Sequence, residues 1–225
     1  RALTGFVAAA LATIGLVALP TAPAVAQQRA VSGTVASSMQ TNSVVYALAA
    51  AHGVVYVGGD FTSVRPSGAA SGTSETPRSR LAAVNTATGL LVTTFNHNVN
   101  GSVRSLATSP DGTTLYVGGD FTAIDGIARS HVAAFRLSDG SLTSWAPNPD
   151  GRVAGIYPTA LTVYLGGSFG RIGATGRRYV AAINASTGAL RTGFAPVLDN
   201  VVYTVGGTAA GDRIWLLARI GESGV

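Results

Sequence analysis

The heptapeptide "YVGGDFT" occupies residues 56–62 and returns letter for letter at 116–122, with a degraded copy, "YLGGSFG", at 164–170. A chain that rewrites one segment meets the same steric demand more than once, so repeat architecture is the first constraint on its fold. Laid against itself, the chain divides into units that share one order: an apolar stretch, a Y-x-G-G-x-F stretch, an R-x-x-(L/V)-A-A stretch, a Gly-bearing turn and an aromatic residue. Unit one reads "VVYALAAAHG", "VVYVGGDFT", "RSRLAAVNTATG" and Phe95; unit two reads "VRSLATSPDG", "TLYVGGDFT", "RSHVAAFRLSDG" and Trp145. Unit three keeps the order with "TVYLGGSFG", "RRYVAAINASTG" and Phe194. Gly119 and Gly167 lie 48 residues apart, whereas Gly59 and Gly119 lie 60 apart. The surplus falls in "RPSGAASGTSETPR", whose Pro, Ser and Gly content marks an enlarged loop.

Each apolar stretch is short, rich in Val, Tyr, Leu and Thr, and closed by Gly or Asp-Gly, which predicts four short antiparallel strands per unit. No stretch after the leader carries a convincing helical period. Apolar residues on successive positions ("VVYV", "TLYV", "TVYL") imply burial on both faces, as in small sheets stacked side by side. The expected fold is all-β: a β-propeller of four-stranded antiparallel blades of about 48 residues. It is incomplete in this chain, with three blades and part of a fourth. The boundaries run 44–101 for the first blade with its loop insertion, 102–151 for the second, 152–200 for the third and 201–225 for the partial fourth. Unit four opens with "VVYTV" and loses the Gly-Gly-x-Phe element, so the remaining blades or further domains are expected beyond residue 225. Residues 27–43 are a linker, or a strand that clasps the last blade.

In this scheme Gly58, Gly59, Asp60 and Phe61, Gly118, Gly119, Asp120 and Phe121, and Gly166, Gly167 and Phe169 are structural repeat positions. Tyr56, Tyr116 and Tyr164 fill the space between blades, and the glycines let backbones approach or bend. A phosphate-cradling glycine loop needs a following helix and a Lys, and neither is present.

The front of the chain carries its own signal. Arg1, an apolar run from Phe6 to Leu19, Pro20, Pro23 and Ala24-Val25-Ala26 read as a secretory leader over 1–26, cut after Ala26. The apolar run is too short to span a bilayer, so no transmembrane span is expected in the mature chain and the protein is expected to be secreted. All 15 basic side chains are Arg. The modest charge left after cleavage is scattered, which excludes a nucleic-acid surface. Without Cys there is no disulfide framework and no thiolate metal site.

The stretch "LYVGGDFTAIDGIARSHVAAFRLSDGSLTSWAPNPDG" resembles the blades of secreted bacterial β-propellers with the delta-sixty type of repeat, and the resemblance covers roughly residues 44–203. It implies a propeller fold without an assigned activity. "AAINASTGALRTGF" also resembles the docking motif of quinoprotein propellers, in which Ala, Thr-Gly and a later Trp lock neighbouring blades. Here Phe95 and Phe194 stand where that motif prefers Trp, and no Cys pair is present, which argues against quinone chemistry.

Strand direction sorts the connections into two ends. One end holds the tight turns "TATG", "SPDG", "LSDG" and "ASTG". The other holds the irregular loops, and there the candidate ligand residues are Arg65, Arg78, Asn96, His97, Asn98, Asp125, Asn148, Arg152, Arg171 and Arg177. Asp60 and Asp120 recur in register with Arg78 and Arg129, which predicts an Asp–Arg clamp across each second-to-third-strand connection. In unit three Ser168 replaces the Asp while Arg177 stays, so either the clamp is dispensable or Arg177 is free for a ligand. His52, His97 and His131 show no metal-ligand spacing, the Asp-Gly pairs are turn chemistry, and no nucleophile elbow accompanies the serines. No catalytic residue, cofactor or metal is therefore assigned. The expected function is a secreted binding scaffold for a carbohydrate or a cell-surface protein. The alternative is an extracellular enzyme, a glycan hydrolase or lyase or an oxidoreductase, whose active residues lie in missing blades.

Overall fold

The computed structural model describes residues 39–208 and 211–218. The leader over 1–26 and most of the 27–43 segment lie outside the described residues. Among those described the chain is all-β, with eighteen strands and no helix. In chain order these are β1 (Gln40–Thr41), β2 (Val45–Ala51), β3 (Val54–Gly59), β4 (Ser63–Arg65), β5 (Thr76–Pro77) and β6 (Leu81–Asn85). Unit two contributes β7 (Val103–Thr108), β8 (Thr114–Gly119), β9 (Ala123–Ile124), β10 (Ile127–Ala128) and β11 (Val132–Arg136). Then come β12 (Val153–Pro158), β13 (Thr162–Gly167), β14 (Arg171–Ile172), β15 (Thr175–Gly176), β16 (Val180–Asn184), β17 (Val202–Gly207) and β18 (Ile214–Ala218).

Three antiparallel sheets of the same build follow one another, β2-β3-β6, β7-β8-β11 and β12-β13-β16, and a fourth begins with β17-β18. Each second strand continues into a short hairpin that carries the connection to the third: β4-β5, β9-β10 and β14-β15. The fourth strand expected in each unit is reduced to a single antiparallel bridge, Val84 to Leu91, Phe135 to Leu142 and Ile183 to Leu190. Its next carbonyls turn away to accept from arginines, as described below. Gln40 and Thr41 pair with β4 in the first unit's own hairpin and not with a distant blade. Asn42 fixes them there by accepting from the amides of Thr62 and Ser63.

The sheets are joined face to face through their first strands, β2 on β7, β7 on β12 and β12 on β17. Each first strand carries a bulge one residue in, at Tyr46, Arg104, Ala154 and Tyr203. Apolar side chains fill the three joints. Tyr56, Leu81 and Ala83 of the first sheet meet Val103, Leu106, Leu115 and Phe135 of the second. Tyr116, Ala134 and Trp145 meet Val153, Ile156 and Leu165, and Tyr164 and Val180 meet Val202 and Val205. In every unit the repeat Tyr stands edge-on to the closing aromatic, with ring centroids 5.2 Å apart for Tyr56–Phe95, 5.2 Å for Tyr116–Trp145 and 5.3 Å for Tyr164–Phe194. The Trp145 indole donates to the Asn184 carbonyl of the next unit's turn at 3.0 Å, which ties neighbouring units at the rim.

The two glycines of each pair answer different demands. A Cβ on Gly118 would sit 2.8 Å from Val153 Cγ1 and 2.9 Å from Ile156 Cδ1 of the following sheet. On Gly119 it would sit 2.0 Å from the Ser102 carbonyl oxygen, on the chain entering its own bulged first strand. Gly58 and Gly166 repeat the first contact, and Gly59 and Gly167 the second. Gly118→Ala is therefore expected to cost about 1–3 kcal/mol, as overpacked cores do, with favourable coupling to Val153→Ala in a double-mutant cycle of denaturant unfolding. Gly119→Ala should cost more and couple to Val153→Ala not at all, because its obstacle is backbone. Equal coupling for both would refute this division of labour.

Candidate functional site

The tight turns lie at one end of the sheets. There Gly89, Gly112, Gly140 and Gly188 take left-handed φ values of 69, 70, 72 and 75°. The candidate ligand residues lie at the opposite end, where the chain leaves each second strand and enters each first strand.

That end is fixed by a repeated side-chain cap that the sequence reading missed. Asn42, Asn100 and Asp150 each stand three residues ahead of the first-strand Val. The Asn100 side chain accepts from the amides of Thr122 and Ala123 at 2.8 and 3.0 Å, and Asp150 accepts from Gly170 and Arg171 at 2.7 and 2.9 Å. The Asx-x-x-Val spacing was its only trace in the sequence. Of the predicted residues, His97, Asn98 and Asp125 are brought together. Asp125 accepts from the Asn98 amide at 2.7 Å and lies 2.7 Å from His97 Nδ1, while His97 Nε2 faces the Gly140 carbonyl at 2.9 Å. The His97 ring also packs against Phe95 and Phe135. The trio pins the unit-one exit loop to the β9-β10 hairpin and is already satisfied by protein groups.

The predicted Asp–Arg clamp does not form. Asp120 instead receives Arg104 Nε at 2.9 Å and Arg152 Nε from the next unit. Asp60 receives Tyr46 Oη at 2.6 Å and the Ser102 hydroxyl, again one group from its own bulge and one from the next unit. The first-strand bulge swings its side chain over the Asp. The Arg104 guanidinium also lies 4.1 Å above the Tyr46 ring, linking the two joints. Burial alone would raise the Asp120 carboxyl, but its hydrogen bonds from Arg152 and Arg104 outweigh that and hold it below the usual carboxylate range. For Asp60 the hydrogen bonds from Ser102 and then Tyr46 act in the same downward direction.

The repeat arginines work as braces. Arg78 donates to the carbonyls of Pro77 and Thr93, Arg129 to those of Ala128 and Thr143, and Arg177 to that of Thr192. Each thereby holds the segment that would otherwise continue as a fourth strand. The Nε–H of all three is buried without an acceptor among the described residues. Arg78 is fully enclosed and unavailable to a ligand. Arg65 is bound by Gln40 and Glu75, whereas Asn96 and Asn148 are exposed.

The remaining pair, Arg171 and Arg177, does converge. Together with Arg178, which the sequence reading passed over, these residues line an open cleft of about 440 Å³ beside β14-β15, whose lining also includes the exposed Ala195, Pro196 and Val197. Among the described residues no group of three or more His, Cys, Asp or Glu side chains is placed to hold a metal ion. A larger groove of about 980 Å³ lies on the open face of the first sheet and runs from β1 and β4, with the candidate Arg65 in its lining, to the tight turn at Asn85–Gly89.

No family model matches the chain, and no curated protein matches it. Among solved structures, 228 chains match. One is the crystal structure of the computationally designed Ika4 protein, 14% identical over 79% of this chain and 94% of that one, with a TM-score of 0.47.

Because the folded-state pKa of Asp120 is lowered, its contribution to stability is in full above its unfolded value of about 3.9 and is lost as pH falls through the folded value. Asp120→Asn should lower stability at pH 7 by about 1 kcal/mol, the scale of a partly exposed ion pair. Thermal melts across pH should show the gap to the parent constant above the unfolded value of about 3.9 and closing as the pH falls below it. A gap of constant size at every pH would place the effect elsewhere.

Proposed function

We propose that the chain is a secreted, non-catalytic β-propeller repeat domain that presents the irregular-loop end of its sheets as a binding scaffold for polysaccharide. One observation carries the reading: successive sheets pack first strand on first strand, joint after joint, with the bulge and the Gly-Gly step in the same register. Radially arranged blades need that repeated relation, and the four-strand unit length fits them. The amino-terminal leader supports secretion. At the loop end, carboxylates and most arginines are spent on backbone caps and inter-sheet joints, which favours a rigid platform over paired acid–base catalysis. The basic cleft of unit three is the part of that platform with donors to spare.

Polysaccharide arrays probed with the protein, followed by sizing of any retained polymer after long incubation, test the proposal. Retention with unchanged polymer length is expected. Shortening of the polymer would overturn the non-catalytic reading in favour of a glycan hydrolase or lyase, and an array with no retained polysaccharide would overturn the binding reading.

A further inference from the structure

Resting on that scaffold reading, we infer that the cleft beside β14-β15 takes the carboxylate groups of an acidic, uronate-type polysaccharide, with Arg171, Arg177 and Arg178 as its cationic wall. The repeats supply the argument, because they show what the fold requires at each of these positions. Where unit three has Arg171, the equivalent residues are Ser63 and Ala123; where it has Arg178, they are Ser79 and Ser130. The β9-β10 hairpin forms with those neutral residues in place, so neither charge is needed to build it. Three residues before Arg171, where the connection begins, Asp60 and Asp120 give way to Ser168, which removes the carboxylate that units one and two hold there. Unit three thus carries three arginines and no acid in this connection, whereas unit one sets Arg65, Arg78 and Arg80 against Asp60 and Glu75, and unit two sets Arg129 against Asp120 and Asp125.

The cleft lining includes no acidic residue. The nearby Asp150 is occupied through Oδ1 by the amides of Gly170 and Arg171. Arg171 spends one guanidinium nitrogen on the Ala174 carbonyl at 2.6 Å and Arg177 one on the Thr192 carbonyl at 3.3 Å. The Arg178 side chain forms no hydrogen bond with the described residues, although its carbonyl accepts from the Val180 amide at 2.7 Å, and its guanidinium lies 5.9 Å from the Tyr179 ring centre. The unspent N–H groups present the planar fork that matches a carboxylate. In the same lining, Ala195, Pro196 and the fully exposed Val197 offer an apolar wall suited to the C–H face of a sugar ring. The volume falls in the range of small-ligand clefts.

Affinity measurements with homogalacturonan, its methyl ester, dextran sulfate and a neutral glucan test the inference on the parent, on Arg178→Gln and on Arg171→Gln/Arg178→Gln. The parent should bind homogalacturonan and lose about tenfold or more toward the methyl ester, whose sugar is the same but whose carboxylates are masked. Arg178→Gln should weaken homogalacturonan binding several-fold with an unchanged melting temperature, and the double variant about tenfold or more. Binding of the methyl ester equal to that of the acid, dextran sulfate bound as tightly as homogalacturonan, or variants that bind like the parent would each overturn the site. A neutral glucan bound and untouched by the substitutions would overturn the site and leave the scaffold reading standing. No glycan bound at all would sink both.

Discussion

The step from Gly118 to Gly119, and its copies in the other units, is the constraint on which the rest of the structure depends. Two consecutive residues face opposite sides of a strand, so one glycine yields space to the next sheet and the other to the carbonyl that enters its own first strand. With both gaps open, the sheets close to within contact of Val103, Val153 and Val202, and the bulged first strand can lie flush beside the second. The buried Phe61, Phe121 and Phe169 then anchor the chain as it leaves the sheet. Losing the first glycine would open a joint and take the second wall from the apolar clusters that span it, and losing the second would push the sheet's own first strand away.

Much of this was legible because a steric demand repeated in space leaves a repeated word in the sequence. Tyr-x-Gly-Gly-x-Phe, the Gly-bearing turns and the enlarged first hairpin could be read in order. The bulge could not, because its side chain points into a joint whose chemistry differs from unit to unit and its residue is Tyr46, Arg104, Ala154 and Tyr203 in turn, with no one letter kept through all four. That hidden residue is why the Asp–Arg clamp was misassigned. From sequence, Asp120 and Arg129 flank one connection, yet in space the bulged Arg104 of the adjacent strand reaches the carboxylate first. The fourth strand was overestimated for a related reason. Val92, Thr143 and Arg191 still donate to the third strand, but the carbonyls of Thr93, Thr143 and Thr192 are claimed by guanidinium groups, and the ladder stops.

The same joints show how loosely the fold specifies polar chemistry at the loop end. One joint is closed by Tyr46, Asp60 and Ser102, the next by Arg104, Asp120 and Arg152, and the third offers Ala154, Ser168 and Val201 at the matching places. The apolar joint beneath is maintained in all three. Stability therefore resides in the shared Tyr, Gly and Val positions, and the polar layer above them is free to vary. Where a repeat protein varies over an unvarying frame, the variation is the place to look for ligand recognition, which is how Arg171 and Arg178 stand out.

The outer faces extend this reasoning to what can sit beside them. Val45, Leu48, Val55, Val57, Ala82 and Val84 line the open face of the first sheet and are the repeat equivalents of Val103, Leu106, Leu115, Val117, Ala133 and Phe135, which receive a Tyr-Gly face in the second. The first sheet therefore keeps the shape that accepts another Tyr-Gly face. The fourth sheet departs from that pattern. By strand register Trp215 takes the place of the repeat Tyr, and Leu217 the place of the glycine that elsewhere receives the neighbour's Val and its aliphatic partner. A space has become a projection, exposed to 62% of its surface. Brought together in the geometry of the internal joints, the fourth sheet would drive Leu217 into Val45 and Leu48 of the first, so these two faces are not complementary to each other. A sheet that follows the fourth in that geometry must carry small residues where Val202 and Val205 stand, because the volume those valines occupy in the preceding joint is already filled.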